Sequence, residues 1–448
     1  MKQKSLYILL AGLFFANLLS AQFVVIEETF SATGLSNQGK VAGYAQQAGP
    51  YSIWLPDSGT SINIGGLAPG QGIGGQARFS FDGNFICGTS AGPNGAELSK
   101  YSRATNQWTR LGSLGFMVDS TVSGGFGISG DGNTVTGLAW ADTTGGLAFS
   151  HAVAWVQSEG LVDLGTLNAG KSTRANAVSY DGSVVVGWQD FDGLWKSAVW
   201  RKKPSGGYYP NQYLLVNTDS SATNEYNQVG ECSTVSEDGK WIGGYGDFAN
   251  NNQPWIWCQD SGLISLGTLP NVGTGYVSGM NEDASIVVGW FDAQLFGDPQ
   301  TPFIRTRAGG LQELNSYIHT VLGDSTGPHQ VYTADCISPD GHYIAGYGVN
   351  DTSSTYFTYR VSLRTATGVR EVTETPGIKV YPNPTANLIT IETPNKTVLT
   401  VHSIDGKLMS QTEITGNYVL DISWYAPGVY CFTFQSGNML QTRKIIKN

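Results

Sequence analysis

Seven aspartates carry the clearest candidate chemistry in this chain. Asp142, Asp190, Asp192, Asp247, Asp292, Asp298 and Asp351 each follow an apolar run that contains glycine, such as VVVGW (184–188) or YIAGY (343–347). Carboxylates at equivalent places in a repeating chain would gather on one rim. There they would suit Ca²⁺, which takes several hard oxygen ligands, or a cationic or sugar ligand. The plainer expectation is that connecting segments are polar and this module is acidic throughout. Nothing else has the spacing of a reaction centre. His151, His319, His329, His342 and His402 form no HExxH and are expected at surface or packing positions. Cys87, Cys232, Cys258, Cys336 and Cys431 include no CxxC, and five free or buried thiols are expected, although export would permit a bridge. No GxSxG elbow, P-loop or GxGxxG is expected in a strand-to-helix context, and GGFG (124–127) is expected to be a loop. No catalytic residue and no metal-ligand set is assigned.

The elements that would position such a rim are legible as a repeat. SNQG (36–39), SFDG (80–83), SGDG (129–132), SYDG (179–182), SEDG (236–239), NEDA (281–284) and SPDG (338–341) recur at steps of 44, 49, 50, 57, 45 and 57 residues. Each is expected to be a two-residue hairpin turn in which Asp-Gly supplies left-handed backbone, the aspartate being a turn residue and nothing more. Behind each turn comes the apolar run with glycine, then an aromatic-bearing run (YSIW, HAVAW, SAVW, PWIW, PFIR, YFTY). In most copies a last run follows (INIGGL, TRLGSL, VDLGTL, ISLGTL). Four strands per copy and seven copies predict an all-β fold, a seven-bladed β-propeller, because no single four-stranded unit can bury both of its faces. The seventh copy lacks a clear fourth strand. Phe23–Glu28 (FVVIEE) is expected to fill it and close the ring, with Val369–Glu374 (VREVTE) as the alternative.

SHAVAW (150–155), GLVDLGTL (160–167) and AVSYDGSVVVGW (177–188) resemble the HAF repeat of extracellular bacterial proteins, over roughly residues 34–363. That resemblance implies an exported propeller-like fold and no defined activity. From about Pro376 the composition changes to alternating runs separated by Pro-Asn, Asp-Gly and Pro-Gly turns, which predicts a small C-terminal β-sandwich. Its pieces, Tyr381-Pro382-Asn383-Pro384, Asp405-Gly406-Lys407, Pro427-Gly428-Val429-Tyr430 and the basic ending at Lys444, resemble the type A C-terminal sorting domain of type IX secretion. Cys431 departs from that pattern, where an aliphatic or aromatic residue is more usual. The resemblance implies Sec export, passage through the outer membrane by the type IX machinery, removal of the module, and release or attachment to the surface of a Gram-negative cell.

The start of the chain agrees. Lys2 and Lys4, the apolar stretch Leu6–Leu19 and Ser20-Ala21 read as a signal peptide cleaved after Ala21, the stretch being short for a membrane span. The domain division is therefore 1–21 signal, 22–366 propeller, 367–377 linker and 378–448 sorting domain. Net charge is −10 overall, with +2 in residues 1–21, +2 in 378–448 and −14 in 22–377. So acidic a module has no footprint for phosphate backbones, which excludes nucleic acid as a partner. The expected partners are the secretion machinery and an extracellular glycan or protein, and the expected state is a monomer. Two functions remain: a secreted or surface-tethered binding propeller, or a polysaccharide lyase or hydrolase with acid and base converging in the channel. The absence of a catalytic constellation favours binding.

Overall fold

A computed structural model describes residues 22–26, 30–46, 49–68, 75–92, 95–115, 124–141, 149–191, 193, 195–216, 227–248, 253–295, 299–363, 378–403, 407–436 and 439–448. The signal segment, the 367–377 linker and the alternative closing run 369–374 lie outside them. The chain divides into two compact units, one ending at Thr365 and the other running from Ala366 to Asn448.

Between Phe23 and Ser362 the described strands form seven antiparallel sheets. Six occupy Ser31 to Gly65, Arg78 to Gly112, Gly124 to Gly165, Thr173 to Arg201, Cys232 to Ser265, and Val272 to Glu313. The seventh combines His329–Val331, Cys336–Ile337, Tyr343–Asn350 and Thr355–Ser362 with the N-terminal strand Phe23–Val25, whose Phe23 faces Val361. The early strand thus fills the slot left open in the last sheet. In the fourth sheet a regular outer strand is missing, and the run around Tyr208 to Gln212 takes its place through isolated pairings of Val199 with Gln212 and Lys202 with Tyr208.

Each sheet's first strand packs on the first strand of the next, and that of the seventh on that of the first. One apolar core lies at each of the seven interfaces. Cys87, Leu98, Ile128 and Val135 join the second and third sheets, and Phe30, Trp54, Cys336 and Ala345 join the seventh to the first. The aromatic runs supply cross-strand pairs: Trp54 faces Val41, Trp155 faces Val135, Trp200 faces Val185 and Trp257 faces Ile242. An aromatic against a β-branched residue is a favourable pairing on a pleated surface.

The glycine in most of the apolar runs has a steric cause. A bulge in the first strand pushes a carbonyl toward the second, so a Cβ on Gly187 would meet the Arg174 carbonyl oxygen at 1.9 Å. Gly289 stands in the same position against Tyr276. GGFG forms part of the strand Gly124–Ile128 and is not a loop, because two of its glycines lie at such close approaches.

The repeated turn also differs from the expected two-residue hairpin. In the second sheet the closing pair is Ser80 with Phe85, leaving a four-residue loop in which Gly83 alone is left-handed, at φ +70°. Ser80 is fully buried; its Oγ accepts from the Phe85 N–H and donates to Asp82, whose carboxylate accepts from the Asn84 N–H at 2.9 Å. The same serine–aspartate lock recurs at Ser129, Ser179, Ser236 and Ser338, with Asn281 standing in for serine. The expectation that the aspartates serve the turn describes what they do here.

In the second unit, Lys379–Tyr381, Leu388–Ser403, Leu408–Asp421, Gly428–Ser436 and Met439–Lys447 hydrogen-bond into one sheet. The long hairpin breaks register between Thr393 and Thr397, and Ile389, Ile391, Leu399, Val401, Phe432 and Phe434 share one core.

Candidate functional site

The inner turns hydrogen-bond to one another around a closed circuit. Phe81 N–H donates to Gly130 O, Asp131 N–H to Tyr180 O, Tyr180 N–H to Glu237 O, Asp238 N–H to Glu282 O, and Glu282 N–H to Pro339 O. The Asn37 side chain completes it. Its Oδ1 accepts from the Asp340 N–H at 2.9 Å, and its Nδ2 donates to Phe81 O at 3.1 Å. SNQG departs from the SxDG pattern at the join, where the amide side chain both accepts and donates.

Behind the turns the first strands line a central channel with a cavity of about 90 Å³. Hydroxyls and an amide on these strands stitch neighbours together: Thr33 donates to Ala77 O, Asn176 to Cys232 O, and Ser233 to Val277 O, with Ser278 donating to Ala334 O. The cavity also holds Arg78, Glu237, Asp335 and Cys336. Burial pushes the Glu237 carboxyl up to about 7, with repulsion from Glu282 and Asp131 adding to it, and burial pushes Asp335 to about 7 as well.

At the opposite end of the first strands lies a polar and aromatic cluster. Arg174 donates to Asn176 Oδ1 at 2.7 Å and pairs with buried Glu231 at 3.2 Å. Its guanidinium lies 4.7 Å from the Phe126 ring centre, 5.3 Å from Trp188 and 5.9 Å from Trp195. Trp188 and Trp195 stack at 4.3 Å and 5°, with Trp188 buried and Trp195 43% exposed. Tyr245 donates to Glu231 Oε2 at 2.7 Å and packs on Tyr276, which stacks on Trp290 and donates to Asp292 at 2.8 Å. Burial, with the Asp292 carboxylate next, drives the Tyr276 hydroxyl up to about 12.

The expected aspartate rim is only partly present. Asp142, Asp192 and Asp298 lie outside the described residues. Asp190, Asp247, Asp292 and Asp351 all fall at the ends of second strands, Asp292 inside its strand and the others just after theirs. Asp247 is taken by Lys196 and Asp292 by Tyr276, while Asp351 is exposed. Among the described residues no three His, Cys, Asp or Glu side chains are grouped to hold a metal ion. The histidines are dispersed: His151 contacts Asp163, His342 contacts Asp340, and His319 and His329 face backbone carbonyls. All five cysteines are free. The aromatic residue that follows the strand glycine, at Trp188, Tyr245 and Trp290, is a sequence feature not singled out in the repeat, and it is the one from which the cluster could have been found.

In the second unit the motif residues hold the last strand. Asn383 Nδ2 donates to Lys444 O at 2.8 Å, and its Oδ1 accepts from the Ile446 N–H at 2.9 Å. Tyr381 donates to Glu392 at 2.5 Å, Tyr430 is buried and donates to Ala426 O, and the Lys407 carbonyl accepts from Ser403 N–H. Gly428 opens the fourth strand opposite Lys447, and Lys444 is exposed. Asp405 and Gly406 lie outside the described residues.

The first unit is thus a propeller-like all-β protein built of small sheets, with a channel and a loop-face cluster. Residues 379–448 match the family model described as a secretion system C-terminal sorting domain. That tail directs the protein by the type IX route to the cell exterior or surface, and it implies contact with the type IX machinery. No curated protein sequence matches the chain. Among solved structures it is similar to TolB from Acinetobacter baumannii, at 14% identity and TM-score 0.37, covering 64% of this chain and 61% of that one. It is similar to hydrazine synthase from Kuenenia stuttgartiensis (14%, TM-score 0.43, 74% and 95% covered). It is also similar to virginiamycin B lyase from Staphylococcus aureus (14%, TM-score 0.43, 76% and 98% covered).

Proposed function

We propose that the seven sheets are the blades of a seven-bladed propeller of the HAF-repeat type, carried by its sandwich-like tail to the outside, and that it works as a binding module. The observation behind this reading is the exposed Trp195, stacked on Trp188 beside Arg174 and Glu231. A flat indole face flanked by a fixed cation and a fixed carboxylate suits a sugar ring, whose C–H face packs on the aromatic while hydroxyls meet the charges. Glycan is therefore the favoured ligand class. The rigid strand ends beneath the cluster support pre-organised binding.

A second reading, a polysaccharide lyase or hydrolase, draws on one observation. Glu237 and Asp335 line the same cavity with carboxyls near 7, where a group can both give and take a proton. One experiment separates the two. Immobilised polysaccharides are challenged with the purified mature chain and with Trp195→Ala, and both retention and released product are read. Binding predicts retention without product and at least a tenfold loss in Trp195→Ala, within the range one stacking aromatic commands. Retention unchanged in Trp195→Ala refutes the loop-face site, and product release establishes the enzyme.

A further inference from the structure

Among the described residues Arg78 has no ion-pair partner, although the carboxyls of Glu237 and Asp335 line the same cavity. Arg78 belongs to the first strand of the second sheet and lines the central cavity. One guanidinium nitrogen donates to Gln76 Oε1 at 3.1 Å, while Nε is buried without a partner. The electrostatic neighbours of Arg78 are the thiols of Cys87 and Cys336 and, as a like charge, Arg174. Arg174 is neutralised by Glu231, so the excess positive charge rests with Arg78. Arg78 is only partly buried, its Nε being the atom shielded from water, and a guanidinium lining a cavity without an ion-pair partner is stabilised by a ligand that supplies the opposite charge.

The surrounding strands leave room for that ligand. At the level of Arg78 the other first strands place Gly34, Gly127, Ala177, Thr234 and Gly279, all small, around the cavity. At Gly34 and Gly127 even a Cβ would meet the neighbouring first strand, at the Ala77 carbonyl oxygen (2.5 Å) and the Ala177 Cα (3.0 Å), so these strands pack closely around the cavity. The cavity of about 90 Å³ holds more than one water, for which about 10–15 Å³ suffices, and so has room for a group of a few heavy atoms.

We infer that the channel is a binding site for a small carboxylate, held by the Arg78 guanidinium. The planar guanidinium of an arginine presents N–H donors that fit the oxygens of a carboxylate. The site lies inside the channel and does not depend on what the loop face binds.

The test uses the mature full chain and sodium acetate as probe, in a constant chloride background. Acetate binding is followed by the relaxation of ¹³C-labelled acetate for wild type, Arg78→Gln and, as an exposed control, Arg110→Gln. Melting temperature is also recorded without acetate. Saturable binding is expected for wild type and Arg110→Gln, weakened at least tenfold in Arg78→Gln, with the acetate-free melt of Arg78→Gln equal to or higher than wild type. A scaffolding arginine behaves oppositely: if Arg78→Gln melts lower or does not fold, the assignment is overturned. So is it if wild type shows no saturable binding, if Arg78→Gln binds as well as wild type, or if chloride displaces acetate at equal concentration.

Discussion

Ring closure through the N-terminal strand can be tested at a single side chain. Phe23 is 8% exposed, stacks on Tyr359 at 5.6 Å and 20°, and meets Phe357 edge-on at 6.2 Å. It belongs to the core that joins the sixth and seventh sheets. Phe23→Ala keeps the backbone pairing with Val361 and the N–H to Asp324 bond, and removes only the ring. Such truncations cost about 3–5 kcal/mol. With an unfolding entropy of about 2.1 cal/mol/K per residue over about 340 residues, that loss lowers the melting temperature by roughly 4–7 °C. The assay is urea unfolding followed by tryptophan fluorescence, together with a thermal melt. Val25→Ala, on the same strand at 38% exposure, is the control and is expected within about 0.5 kcal/mol of wild type. The reasoning fails if Phe23→Ala stays within about 1 kcal/mol of wild type, or if Val25→Ala costs as much.

Three further outcomes follow from the same structure. Asn37→Ala removes both links at the join of the turn circuit and is expected to cost about 1–3 kcal/mol in urea unfolding, while Asn37→Asp, which still accepts from Asp340, falls between it and wild type. Stability is expected to decline as pH rises from about 5 to 7. Glu237 and Asp335 keep their protons up to about 7 in the folded chain but lose them near their ordinary values of about 4 when unfolded, so the native state binds more protons across that window. Asp335→Asn is expected to flatten the slope between those two pH values, and an unchanged slope removes Asp335 as its source. Asp82, Asp181, Asp238 and Asp283, held low by their turn hydrogen bonds, act in the opposite sense only below that window. Finally, deletion of residues 439–448 removes the partner strand of Gly428–Ser436 and the carbonyl and N–H that Asn383 holds, so the chain is expected to remain in the periplasm of a type IX-competent host. Detection of the truncated chain in the medium or on the surface by cell fractionation contradicts this.

The repeat was legible because hairpins are local. Ser-x-Asp-Gly locks its own turn through contacts two to five residues apart, and a glycine after a β-branched run answers the strand beside it. Copies of that local solution recur at nearly even spacing, so strand order and the sheet count can be read along the chain. The sorting module was legible for a similar reason, since its turns and its Tyr-Pro-Asn-Pro segment are compact signals. The loop length was misread because Asp-Gly satisfies two turn geometries, and the choice between them rests on the buried serine that bridges to the closing residue. GGFG was misread because a glycine run signals a loop unless a neighbouring strand presses on it, and that pressure comes from another sheet.

The site was not legible, and the reason is geometric. Arg78, Glu237 and Asp335 lie up to 257 positions apart in the chain and carry no common motif, yet they line one cavity because each occupies the inner strand or turn of a different sheet. Trp188 and Trp195 flank a loop, and only the fold brings Phe126, Arg174 and Glu231 beside them. Of the aspartates, chosen because they recur, Asp247, Asp292 and Asp351 are divided by the fold among a lysine, a tyrosine and solvent. Sequence by itself determined the repeating hairpins, the acidic module and the basic tail, all properties of residues near one another in the chain. Tertiary structure decided which polar side chains lost water, because burial depends on what the neighbouring sheets place around a group, and it left the Arg78 Nε without a hydrogen-bond partner.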